Sequence, residues 1–190
     1  MTWTQGADEF LTALSSSDPT PGGGAAAALA GAMGCALGLM SIGTTLKRKA
    51  TPQEARPTLL SNQQKLAGLH RELKTLMQKD ADAYAAYLTA SKLPKENPTR
   101  TQAVQEALWL AATVPADTAS VCEQVLVALK NVRPLIASHI LSDVHCAQQL
   151  LTCALACCVE NIRVNQTGIT DPKRQQKLTD WITHFSEVRP

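Results

Sequence analysis

Two carboxylates stand two residues apart in "KDADAYAAYLTASKLPK", Lys79 to Lys95, a segment otherwise rich in small and apolar residues. A carboxylate held among alanines, away from water, has a raised pKa and can serve as a general acid; on a solvated face it is only an ion-pair partner. Asp80 and Asp82 lie about 200° apart around a helix, so they cannot both face one neighbour. Pro21-Gly22-Gly23-Gly24 opens a second candidate. Glycines ahead of a helix leave N–H groups open where the helix dipole favours an anion, and they remove the side chains that would block a ligand. Their spacing is neither a phosphate-loop motif nor a dinucleotide fingerprint.

Three weaker constellations follow. In "SHILSDVHCAQQ", His139, Asp143 and Cys146 share a helix face at i, i+4 and i+7; a metal would need further ligands from elsewhere, and a His–Asp helix pair is the plainer reading. Asn161 and Asn165 lie one turn apart, as a structural hydrogen-bond pair or a recognition edge. Lys47-Arg48-Lys49 suits a helix C-terminus, and equally the carboxylates of an acidic ligand.

Pro and Gly divide the chain into the helical segments that must position these residues. The first runs from about Gln5 to Ser16, and the second follows Pro21. The third starts near Pro57 and passes Tyr87, with leucines at 59, 66 and 73 and a second line at 69 and 76. Asp80 continues the first of these lines, so periodicity turns it inward; Asp82 falls on the line of Ala86 and Thr89. Asn97-Pro98 precedes a fourth helix that continues to Lys130, with a kink or break at Pro115. Pro134 opens a fifth segment reaching Gln166. Asp171-Pro172 starts an amphipathic sixth, whose core face is Leu178, Trp181, Ile182 and Phe185. No window alternates as a strand, so the expected fold is an all-α bundle, a single domain over residues 1–190.

Composition narrows the class. The 190 residues carry a net charge of +2 with no basic block, which gives no footing for nucleic acid. The first ten residues include two acids and no apolar core, unlike a secretory signal. Ala25 to Leu46 lacks charge and is long enough to span a bilayer, yet it is mostly Ala and Gly. We read it as the central, fully surrounded helix of the bundle, not as a membrane span. The six cysteines show no zinc-ribbon spacing and are expected to be reduced, buried thiols of a cytoplasmic protein.

Taken in order, "PTPGGGAAAALAGAMGCALGLM", "DADAYAAYLTASKLPK", "QEALWLAATVPADTA", "SDVHCAQQLL" and "NIRVNQTGITD" resemble the cyclodeaminase/cyclohydrolase family of folate enzymes over nearly the whole chain. The resemblance implies a homodimeric helical bundle with a folate cleft near the subunit interface. It aligns the proton-donating aspartate with Asp82, against the register, and puts Gly22, Gly23, Gly24, Asp143 and Asn161 along the cleft. The implied activity is hydrolysis of 5,10-methenyltetrahydrofolate to 10-formyltetrahydrofolate. The alternatives are deamination of formiminotetrahydrofolate, or folate binding without catalysis. No metal or other cofactor is implied; a tetrahydrofolate derivative is the substrate. The chain departs from the family pattern at Ile136-Ala137, where Gly-Asn is common, at Lys47, where a Gly followed by lysines and an aromatic is usual, and at Gln166, where an apolar residue is usual.

Overall fold

The computed structural model describes residues 2–189. Among them are six α-helices and no strand: α1 (Trp3–Leu14), α2 (Gly23–Lys47), α3 (Arg56–Ser91), α4 (Arg100–Val132), α5 (Leu141–Gln166) and α6 (Pro172–Glu187). The fold is the expected all-α bundle, with α2 lying against α3, α4 and α5.

The small residues of α2 explain how three long helices reach its backbone. A Cβ on Gly34 would sit 2.9 Å from the Ala147 carbonyl oxygen and 2.9 Å from the Leu151 Cγ of α5. Only glycine permits that approach. Leucines 59, 66, 69, 73 and 76 of α3 are all buried, as their spacing predicts. α2 is not fully surrounded, however. Its fourth side carries Leu29, Met33, Ala36 and Met40, and the two methionines are 46% and 41% exposed. By length and composition α2 and the 138–166 segment could each cross a membrane, but over half of the α2 window is buried inside its own bundle.

Helix ends follow local chemistry. Asp171 caps α6 by accepting from the Lys173 and Arg174 N–H groups, and Pro172 occupies the first helical position. Trp181 of α6 stacks on Trp109 of α4, with centroids 5.8 Å apart.

Three expectations are corrected. α4 runs unbroken through Pro115. The fifth helix begins at Leu141, not Pro134. Arg133–Leu135 and Ser138–Ile140 are short 3-10 turns, and between them Ile136 is extended while the Ala137 N–H bonds to Thr45 Oγ1 at 3.2 Å. The cysteines are not uniformly buried: Cys35, Cys122 and Cys158 are, whereas Cys146 and Cys153 are exposed and Cys157 is half-buried.

Candidate active site

A cleft of about 420 Å³ opens at the N-terminal end of α2, walled by α3, α4, α5 and the chain on either side of the glycines. Among the described residues, its one carboxylate is Asp80. The Asp80 carboxylate lies against the first turn of α2, where Oδ2 accepts from the Ala25 N–H at 2.9 Å. A carboxylate of α3 thus supplies in trans the cap that Gly22, having no side chain, cannot give. Gly24 makes room for it, since a Cβ there would fall 2.0 Å from Asp80 Oδ1. On the other side Gly23 abuts Asn161, whose Nδ2 would be 3.3 Å from a Cβ.

Burial pushes the Asp80 carboxyl above its ordinary value, and the Ala25 hydrogen bond only partly opposes this. The group can therefore hold a proton at a higher pH than a free aspartate. One and two turns further along α3, Tyr84 and Tyr87 line the same cleft, their ring centroids 6.4 Å apart. They give it an aromatic wall suited to a flat ligand.

Two amides complete the opposite wall. Asn161 Nδ2 donates to the Cys157 carbonyl at 2.8 Å. Asn165 Nδ2 donates to the Ala111 and Asn161 carbonyls at 3.0 and 2.8 Å. A groove of about 220 Å³ between α5 and the C-terminal segment is a poorer candidate, because its Glu160 and Arg163 are paired with each other at the surface.

The family model described as formiminotransferase-cyclodeaminase matches residues 6–184, nearly the full bundle just described. The chain belongs to the formiminotransferase-cyclodeaminase family. It is similar to the methenyltetrahydrofolate cyclohydrolase of Methylorubrum extorquens, with 36% identity over 169 residues covering 86% of this chain and 80% of that one. It is 30% identical over 193 residues to the formimidoyltransferase-cyclodeaminase of Gallus gallus. That match covers 94% of this chain but 34% of the animal protein, so the chain spans about a third of that relative's length. In fold it resembles the formiminotetrahydrofolate cyclodeaminase of Thermotoga maritima, with a TM-score of 0.84, 24% identity, and coverage of 98% of this chain and 88% of that one.

For this family member the predicted site residues divide. Gly22, Gly23, Gly24 and Asn161 meet at the cleft. Asp82 does not: it is exposed, and its Oδ1 accepts from Gln78 Nε2 at 2.9 Å. The acid in the cleft is Asp80, as the leucine register requires and the motif alignment did not. Asp143 also lies elsewhere, in the first turn of α5, about 27 Å along the helix from Asn161. His139 sits in a 3-10 turn with its Nδ1 3.5 Å from Arg48 Nη1, so it shares no continuous helical face with Asp143 and Cys146.

The departures at Ile136-Ala137 and Gln166 lie outside the cleft of their own chain. Ile136 and Ala137 pack at the far end of α2, next to Thr45. Gln166 ties the end of α5 to α6 through the Gln175 carbonyl and Thr179. Sequence reasoning missed Tyr84, Tyr87 and the role of Asn165. Tyr87 was findable, because it continues the 59, 66, 73, 80 line by one more heptad.

Proposed function

We propose that this chain is a methenyltetrahydrofolate cyclohydrolase, opening 5,10-methenyltetrahydrofolate to 10-formyltetrahydrofolate, with Asp80 as the group that moves the proton. The observation that carries the reading is the Asp80 carboxylate, desolvated and fixed against the first turn of α2 inside the cleft. In this reaction water adds to the methenyl carbon, and a base must take its proton. The carbinol O–H then releases its proton to solvent as the formyl C=O forms, the C–N5 bond breaks, and N5 must receive a proton to leave. One carboxylate of raised pKa serves both steps in turn. The flat pterin ring suits the wall formed by Tyr84 and Tyr87, and Gly22, Gly23 and Asn161 leave the opposite side open to it. The transferred carbon stays at the formate oxidation level, so the reaction calls for no redox cofactor.

Similarity to the Methylorubrum enzyme over most of both chains supports this substrate over formiminotetrahydrofolate. Deamination of formiminotetrahydrofolate is the second reading, supported by the animal relatives; there Asp80 would protonate the departing ammonia. The test is loss of near-ultraviolet absorbance from 5,10-methenyltetrahydrofolate, with Asp80→Asn beside the parent. Loss no faster than in buffer, and no ammonia from 5-formiminotetrahydrofolate, would leave a folate-binding bundle without catalysis.

The working unit in this reading is a cytoplasmic homodimer of a single helical domain. The stripe Leu29, Met33, Ala36 and Met40 supports the dimer, for it is an apolar seam on the one uncovered side of α2. Its centre coincides with the middle of α2, so a two-fold axis there would pair the helices antiparallel. The Lys47-Arg48-Lys49 end of each copy would then approach the glycine end of the other, bringing cations toward a cleft whose own lining has none.

A further inference from the structure

Pro115 lies in the middle of α4 and has no N–H, so the carbonyl four residues back, that of Ala111, lacks its helical donor. That carbonyl faces the cleft side of α4 and accepts instead from Asn165 Nδ2 of α5, at 3.0 Å. The second Nδ2 proton of Asn165 goes to the Asn161 carbonyl, at 2.8 Å. Both donors of the amide are thereby used, and Oδ1 is the polar atom that Asn165 has left to offer the cleft it lines. A proline that should weaken a helix persists at a buried position because the bond it removes is replaced from a neighbouring helix.

We propose that Pro115 is a positioning residue of the site: by freeing the Ala111 carbonyl it locks the Asn165 amide in one orientation and makes it a pure acceptor for an N–H group of the bound ligand's ring. The ligand class is a flat nitrogen heterocycle presenting ring N–H or amino donors, which a reduced pterin does. The identity of that ring rests on the folate reading above; the orientation of Asn165 does not. Were the Ala111 carbonyl also to accept a helical N–H, that donor would share the oxygen with Asn165 Nδ2 and draw it back toward the α4 axis, weakening one of the two bonds that hold the amide. It could then turn, presenting donors where the ligand also has donors, and mismatched pairs of this kind are costly when desolvated.

Pro115→Ala supplies the missing N–H and tests this directly. Helix propensity predicts a melting temperature no lower than the parent's, so any functional loss cannot be blamed on unfolding. The expected kinetic result is a KM raised about three- to tenfold with kcat nearly unchanged. Asn165→Ala should raise KM by a similar factor, and adding Pro115→Ala to it should change nothing further, as two members of one chain of contacts require. A KM unchanged in Pro115→Ala, or additive effects in the double variant, would overturn the proposal.

A second readout needs no turnover. The side-chain amide protons of Asn165, followed by NMR, should both be protected in the parent, and one should exchange faster in Pro115→Ala. Unchanged exchange would also sink the proposal. If the parent turns over neither folate while the exchange change appears, the functional reading has failed and the positioning role stands.

Discussion

Asp80 accepts a hydrogen bond from the Ala25 N–H at 2.9 Å, so an acid of one helix caps another and is held against its first turn. The same bond ties the stability of the α2 N-terminus to the protonation state of the group proposed to do the chemistry.

That tie distinguishes the two acids of the DADAYAAY segment. Asp80→Asn should reduce turnover of 5,10-methenyltetrahydrofolate by about 10²- to 10⁴-fold. Asp82→Asn, which removes only a surface charge and keeps an Oδ1 for Gln78 to donate to, should leave the rate within about twofold, as surface changes usually do. Initial rates from the decay of substrate absorbance decide between them.

The raised pKa of Asp80 fixes the sign of two pH dependences. A carboxylate acting first as a base must be ionised, so kcat for hydrolysis should rise as pH climbs through the Asp80 value, and Asp80→Asn should flatten that limb. Deamination, which uses the protonated acid, should fall across the same range. Stability runs the other way. Because the folded state holds the Asp80 proton to higher pH than the unfolded chain does, this group's contribution is fully present below the ordinary carboxylate value. It is lost as pH rises through the folded value. Chemical denaturation of the parent and Asp80→Asn over that window should show the parent losing ground with rising pH.

Three glycines predict three different outcomes on substitution by alanine. Gly24→Ala must displace the Asp80 carboxylate, and turnover should drop to within about tenfold of the Asp80→Asn rate. Gly34→Ala meets backbone at 2.9 Å and should destabilise by about 1–3 kcal/mol. Gly68→Ala, inside α3 with nothing within 4 Å of the new Cβ, should stabilise by about 0.5–1 kcal/mol. Denaturation midpoints for the last two, and rates for the first, would check this set.

The apolar seam of α2 is the surface on which the proposed dimer would form. Met33→Lys with Met40→Lys puts two charges into it without touching the cleft, and sizing chromatography should then report a monomer where the parent elutes as a dimer. A parent that elutes as a monomer at micromolar concentration would remove the dimer from the proposal.

Much of the architecture was legible in residue order alone. The heptad leucines of α3, the Asp171-Pro172 start of α6 and the small residues of α2 each state a local requirement, and those requirements agree with the fold. The site was legible in part. Gly22, Gly23, Gly24 and Asn161 lie at the cleft as the motif match implied, and the register already turned Asp80 inward before the alignment favoured Asp82. Where reading failed, the reason was non-local. Pro134 looked like a helix start, but the Ala137 N–H finds its partner in Thr45, 92 positions away, and the helix begins later.

The sequence by itself determined that the chain is helical, that α2 must be approached closely, and that one acid of α3 turns toward the core. These follow from the 3.6-residue period and from the volumes of single side chains, which need no partner to be stated. Only the tertiary structure decided that Asp80 caps α2, that Asp143 stands about 27 Å along α5 from Asn161, and that the carbonyl freed by Pro115 is claimed by Asn165. The first and last of these are hydrogen bonds between segments far apart in the chain, and the second matters only because the cleft forms at the Asn161 end of α5. No period within one helix encodes where a different helix will bring its donors.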